Sequence, residues 1–250
     1  MSNNPLFKRT IHKHEVPSYI LSEQTRSIRV YLPPGYQPWI SYPVVYCQDG
    51  EDFFNFGRIA THTQKLILEN DWEPYIIVGV DVDKKLRTAE YSPDGDRNER
   101  YVKFFAEELV PWMETNYPVR DDPTDRILAG DSLGGTVSLS IALRYPSMFH
   151  RIISLSGAFY DVSIEEIKQA HTLSHLHMWM NVGLQENNFS SDRGTFDFVA
   201  LNRMAKQELT LKGAKIKYIE KDGEHKWGFW QVELPDALGA FLGPTPHRFE

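Results

Sequence analysis

The stretch RILAGDSLGGTVSLSIAL, from Arg126 to Leu143, decides the fold. Arg126–Ala129 reads as a short strand, and Thr136–Arg144 as a helix stopped by Tyr145-Pro146. Between them lies Gly130-Asp131-Ser132-Leu133-Gly134, a serine flanked by small residues at a strand-to-helix junction. Such a sharp turn forces the serine into strained backbone geometry, and the glycines relieve the crowding. The turn also lifts the hydroxyl above the sheet at a helix N-terminus, where free N–H groups and the helix dipole favour negative charge. Ser132 is therefore the candidate nucleophile.

The pattern extends outward in both directions. Phe7–His14 and Ser27–Leu32 read as early strands, the second ended by Pro33-Pro34-Gly35. Tyr42–Cys47, Tyr75–Val80, Arg151–Ser156, His177–Val182 and Lys215–Glu220 read as buried strands. Helical spacing covers Arg58–Glu69, Arg97–Thr115, Ile164–Ala170, Thr195–Leu211 and Trp230–Phe241. Strands alternating with helices predict an α/β fold, a mostly parallel central sheet with helices on both faces. No repeat or linker interrupts the 250 residues, so residues 1–250 are expected to form one domain. Ligands of such sheets gather at the carboxyl ends of the strands, so chemistry is sought after Cys47, Val80, Ala129, Val182 and Glu220.

Composition narrows the classes. Lys plus Arg number 27 against 34 Asp plus Glu, giving −7 with no basic stripe, which leaves a nucleic-acid partner without support. The longest apolar runs are strand-sized, so no membrane span is expected. One cysteine, Cys47, cannot form an intramolecular disulfide, and the N-terminal residues lack an apolar signal core. A cytoplasmic protein is the expectation. The closely spaced His171, His175 and His177 have no companion acidic or cysteine motif, so neither a metal nor a cofactor is expected.

A serine needs a base to take its proton. His225 is the best placed of nine histidines, after the last strand and before the closing helix. The acid is less determined. Asp222 precedes His225 in an Asp-x-x-His pair, as in the hydrolase family named for the string Gly-Asp-Ser-Leu. That family carries its serine block after the first strand, whereas Ser132 follows at least four. Its separate glycine and Gly-x-Asn-Asp blocks are missing here. Glu186 instead follows the strand His177–Val182, giving the order nucleophile, acid, histidine of α/β-hydrolases. Asp192 and Asp197 remain further candidates, although a helix start such as that at Asp197 usually implies capping.

With that order the chain resembles the esterase D family of α/β-hydrolases, which includes enterochelin-esterase-like and feruloyl-esterase-like enzymes. The matching features are Val30-Tyr-Leu-Pro-Pro-Gly-Tyr36, Tyr46-Cys-Gln-Asp-Gly50, Arg87-Thr-Ala-Glu-Tyr-Ser-Pro93, the Gly-Asp-Ser-Leu-Gly-Gly elbow, Gly183-Leu-Gln-Glu186 and His225-Lys-Trp-Gly-Phe-Trp230. The resemblance implies an α/β-hydrolase fold with a small cap or none, and a serine esterase acting on a small-molecule ester through an acyl-enzyme. Siderophore lactones and aromatic or sugar esters are the implied substrate types. A thioesterase or S-formylglutathione hydrolase with the same triad is the alternative, and a silent binding module the non-enzymatic one. Backbone N–H groups of Leu133, after the nucleophile, and Glu51, after the strand ending at Cys47, are expected to hold the oxyanion. Asp49, Glu51 and Asp52 are expected to point their carboxylates to solvent or to cap the next segment. Arg87, Tyr91 and Trp227 are expected to line the cleft, Arg87 with a structural ion pair as its alternative.

Overall fold

The computed structural model describes residues 9–191 and 193–244, so Phe7, where the first strand was expected to begin, lies outside them. Strands β1 (Thr10–Pro17) and β2 (Thr25–Leu32) form an antiparallel hairpin. Strand β2 pairs antiparallel with β4 (Ile76–Val80), and β4 pairs parallel with β3 (Val44–Cys47). From β3 the sheet continues in parallel through β5 (Arg126–Asp131), β6 (Arg151–Leu155) and β7 (His177–Gly183). Strands β8 (Phe189–Ser191) and β9 (Gly194–Phe196) make a separate ribbon. Strand β10 (Lys215–Lys221) closes the far edge on β7. The spatial order β1-β2-β4-β3-β5-β6-β7-β10 places β5 in mid-sheet.

Side chains that alternate along each strand build two cores, one per face. Val44, Tyr46, Leu128 and Ile152 pack on one side with α4 (Asn98–Phe104), α5 (Val110–Asn116), α6 (Leu133–Arg144), α7 (Asp161–Gln169) and α8 (Phe198–Leu211). Val45, Cys47, Ile127, Ala129 and Ile153 pack on the other with α1 (Gly50–Asn55), α2 (Ile59–Asn70) and α9 (Trp227–Leu242). With both faces covered, the parallel strands read as near-continuous apolar runs in the sequence.

Three details differ from the sequence pattern. The helix expected over Arg97–Thr115 contains a π-helical turn, Phe105–Leu109, just before Pro111, which has no N–H to donate. The helix expected from Thr195 begins at Phe198, because Asp197 caps it through Ala200 N at 2.9 Å, while Thr195 and Phe196 belong to β9. The closing helix begins at Trp227, three positions early. Among the described residues no helix is long and apolar enough to cross a membrane.

One buried ion pair fixes an element that the site depends on. Arg26 of β2 donates from Nη1 and Nη2 to both carboxylate oxygens of Glu90, at 2.9 and 2.7 Å, with both residues buried. Glu90 lies on the short helix α3 (Arg87–Tyr91), which packs against α4 and α6. Removing one member of such a pair strands a buried charge. Glu90→Ala should therefore lower the unfolding free energy by about 3–5 kcal/mol, read from urea denaturation. A loss below about 1 kcal/mol, the range of exposed pairs, would contradict that anchoring role.

Candidate active site

Ser132 follows β5 with φ 52° and ψ −122°, a backbone that L-residues avoid. Gly130 explains how the turn closes: a Cβ there would lie 2.1 Å from the Gly134 carbonyl carbon. The Ser132 N–H donates to Leu155 O of β6 at 2.9 Å, and its carbonyl accepts from Ala158 N at 3.0 Å. Strand β6 therefore holds the elbow from the side. Leu133 opens α6, so its N–H lies in the first turn, where helical N–H groups lack intrahelical acceptors.

Glu186 and His225 meet. The Glu186 side chain is buried, and its Oε2 lies 2.6 Å from His225 Nδ1. Its Oε1 accepts from Gly183 N at 2.8 Å and from Ser156 Oγ at 2.7 Å. The His225 ring packs against Phe189 and Phe198, with centroids 4.3 and 4.4 Å away, and lies edge-on to Trp230 at 4.9 Å. The other acids are elsewhere. Exposed Asp222 accepts from Gln185 Nε2 at 2.8 Å, Asp197 caps α8, and Asp192 lies outside the described residues.

Ser132, Leu133 and His225 line one cavity of about 410 Å³. Tyr160, Phe189, Phe198 and Trp230 supply its aromatic walls, and Lys84, Arg87 and Arg193 its cations. Arg193 was not singled out in the sequence. It comes from the β8–β9 ribbon, reaches Ser92 Oγ at 2.6 Å and Asp94 at 3.1 Å, and lies 4.9 Å over the Tyr160 ring.

Three expectations need correction. Tyr91 is fully buried and does not reach the cavity; its hydroxyl accepts the Asp49 N–H at 3.1 Å. Burial pushes its phenol well above the ordinary value. Tyr91 thus braces the left-handed turn at Asp49 (φ 51°), the N-cap of α1. Trp227 does not line the cavity either. It packs edge-on to Phe53 at 4.9 Å and to Trp230 at 5.5 Å, and Trp230 provides the wall. The Asp49 carboxylate neither points to solvent nor caps α1: it is buried and held by Arg87, Nε to Oδ1 and Nη2 to Oδ2, both at 2.8 Å.

Arg87 therefore both lines the cavity and forms the structural pair that was its alternative. Its Nη2 also donates to Asp131 O at 3.2 Å. Of the remaining acids, Glu51 pairs with Arg29 at 3.0 Å and Asp52 with Lys84. The amides of Asp52 and Phe53 bond Asp49 O, and Glu51 contributes the adjoining N–H in the first turn of α1.

The comparisons with known proteins agree with this architecture. Residues 18–241 match the Esterase family model, described as "Putative esterase". The chain belongs to that family, and it is a carboxylic ester hydrolase with a mostly parallel α/β-hydrolase-like sheet. It is 37% identical to "Uncharacterized protein YjcH" of Bacillus subtilis (strain 168) over 235 residues, 93% of this chain and 98% of the relative. The solved structure of a ferulic acid esterase superposes with a TM-score of 0.77 at 18% identity, covering 92% of this chain and 98% of the other. The enterobactin esterase FES from Shigella flexneri, solved in the presence of enterobactin, gives 0.78 at 20% identity, covering 92% and 57%. At those identities the two structures speak for the fold alone.

Beside the elbow, the Asp131 carboxyl is pushed up to about 7 by burial and by Asp49, against the opposing pull of Arg87. Its Oδ1 is buried without a hydrogen-bond partner among the described residues. A carboxyl raised in the folded state contributes stability below its unfolded value, and loses it as pH rises through the folded one. The wild-type protein should therefore lose stability relative to Asp131→Asn as pH is raised from about 5 to 8, read as paired urea midpoints. Parallel midpoint curves for the two proteins would contradict it.

Proposed function

We propose that the protein is a serine carboxylesterase working through an acyl-enzyme, with Ser132 as nucleophile, His225 as general base and Glu186 as the acid that orients it. The observation that carries this reading is the 2.6 Å contact of Glu186 Oε2 with His225 Nδ1, beside a cavity that Ser132 shares. With Nδ1 engaged by the carboxylate, Nε2 is the nitrogen available to take the Ser132 proton.

Ser132 Oγ attacks the ester carbonyl as its proton passes to His225. The oxyanion receives the N–H groups of Leu133 and Glu51, each in the first turn of a helix following adjacent strands β5 and β3. His225 then gives its proton to the leaving alkoxide. In the second half it takes a proton from water, the hydroxide adds to the acyl carbonyl, and as the bond to Ser132 Oγ breaks His225 returns that proton to Oγ and the carboxylic acid leaves. Glu186 holds the imidazole tautomer and stabilises the imidazolium in both halves. The substrate is a small-molecule ester whose acyl or alcohol part fits between aromatic walls beside cations. Feruloyl esters and catecholate lactones belong in the test panel because similar proteins are named for ferulic acid and enterobactin. Acyl thioesters form its control arm.

Ser132→Ala should abolish hydrolysis of p-nitrophenyl acetate and butyrate with an unchanged circular-dichroism spectrum. Glu186→Gln should lower kcat by about three to four orders of magnitude. Asp222→Asn should stay within about twofold, as expected for an exposed site. Undiminished turnover in Ser132→Ala sinks the nucleophile, and the reverse ranking of the two acid variants sinks Glu186.

A further inference from the structure

The chain leaves β6 through Ser156, fully buried and at φ 47°. Glycine is the residue that takes this left-handed conformation without cost, and Gly157 stands directly beside it. The serine's hydroxyl gives the position a distinct task. Trp230 Nε1 donates to Ser156 Oγ at 2.8 Å, and Ser156 Oγ donates to Glu186 Oε1 at 2.7 Å. An indole N–H can only donate, so it occupies the hydroxyl as an acceptor and leaves the single hydroxyl proton for the carboxylate. Gly183 N supplies the second donor to Oε1 at 2.8 Å, and Oε2 faces His225.

We propose that Ser156 and Trp230 form a directional hydrogen-bond relay that positions Glu186 against His225. The relay rests on the reading of Ser132, His225 and Glu186 as the reacting triad, and makes Ser156 and Trp230 its positioning residues. A glutamate carries one more rotatable bond than an aspartate, so its carboxylate needs more to hold it in one place. Two donors on Oε1 supply that hold and direct Oε2 to the imidazole. Trp230 acts at both ends, because its ring also stands at 85° to the His225 ring, 4.9 Å away. A single indole thus sets the carboxylate through Ser156 and the imidazole by contact.

Removing the hydroxyl has two separable effects. The carboxylate gains freedom, so fewer molecules hold His225 in the productive orientation. It also loses a donor that spreads its charge, so it becomes more basic and favours the imidazolium. The acidic limb of the rate profile therefore moves to higher pH. Merely filling space beside the site would not move that limb. The ionisable side chains that share the cavity with His225 are Asp52, Lys84, Arg87, Asp131, Tyr160 and Arg193, with Glu224 and Lys226 beside it in the chain. All are retained in the variants.

The test compares Ser156→Gly, which keeps the left-handed turn without strain, with Trp230→Phe, which keeps a ring and removes the N–H. On p-nitrophenyl butyrate, Ser156→Gly should lower kcat by about 10- to 100-fold, the range of a hydrogen bond to a charged group, with KM nearly unchanged. Its acidic limb should shift upward, Trp230→Phe should shift the same way by less, and the double variant should be no worse than Ser156→Gly, as expected for one shared network. An unmoved limb, or losses that multiply independently, overturns the relay. Should Ser156→Gly fail to fold, the limb of Trp230→Phe decides alone. Ser132→Ala and Glu186→Gln run alongside. If they keep wild-type turnover, the triad reading fails; if they lose it while Ser156→Gly keeps wild-type kcat and limb, only the relay fails.

Discussion

The backbone at Ser132 is the constraint on which the rest of the site depends. A non-glycine residue at φ 52° and ψ −122° persists only where its surroundings over-determine it, at a cost on the order of 1–3 kcal/mol. Here β5 hands over to α6 within one residue, the Gly130 backbone lies against Gly134, and Leu155 of β6 takes the Ser132 N–H. The same device recurs. Asp49 and Ser156, also left-handed and not glycine, follow β3 and β6, the two strands that flank β5. Three adjacent parallel strands thus each end in a turn that local propensity would not choose. Their parallel registers hold all three turns at one edge of the sheet. Breaches of local preference gathered at one edge are what a functional edge should look like.

Charge is arranged with similar economy. Two carboxyls, Asp49 and Asp131, are buried beside the proposed oxyanion site, where uncompensated negative charge would oppose catalysis. Arg87 answers both, bidentate to Asp49 and donating to the Asp131 carbonyl, with its guanidinium 3.8 Å from Asp131 Oδ2. It can do so because α3 is held from behind by the Arg26–Glu90 pair. Two groups of ion pairs, joined by α3, then lie between the hairpin and the elbow. Such buried pairs are weak evidence for net stability, but they are demanding about geometry. In this protein that geometry places a guanidinium at the cavity wall.

The fold was legible because strands buried on both faces leave apolar runs, and the helices between them keep their period. The short α1 and α3 left no such signal, since five or six residues cannot display a helical period. The β8–β9 ribbon was hidden because its three-residue strands pair only with each other. Ser132, Glu186 and His225 were findable as polar residues following β5, β7 and β10, where ligands of parallel sheets collect. Tyr91 and Trp227 misled for a common reason: nearness in sequence says nothing about which face of a helix meets the cleft. Arg87 and Tyr91 are one turn apart and both serve Asp49, so the tyrosine points inward with its partner. Trp227 and Trp230 are likewise one turn apart on α9, and only the second reaches the cavity. Ser156 carried no motif, and its significance lies in a dihedral angle and two hydrogen bonds.

A glutamate in place of an aspartate as the proposed acid asks where the extra methylene goes. The turn after β7 accommodates it. Glu186 N donates to Gly183 O at 3.0 Å, and the carboxylate folds back onto Gly183 N, so the side chain caps the strand end it leaves. Gly183 has to be glycine for this to happen. A Cβ there would lie 2.8 Å from Glu186 Oε1 and 2.3 Å from the carbonyl oxygen of Gly223, on the loop that carries His225. The glycine thus sets two separations together, that of the acid from its own strand and that of the acid loop from the histidine loop. Lengthening the acid without Gly183 would push the two loops apart, and shortening it would leave Ser156 and Gly183 with no carboxylate oxygen to hold. The acid, its glycine and its serine are therefore one geometric unit, built from the ends of β7 and β6 and read by the imidazole at the end of β10.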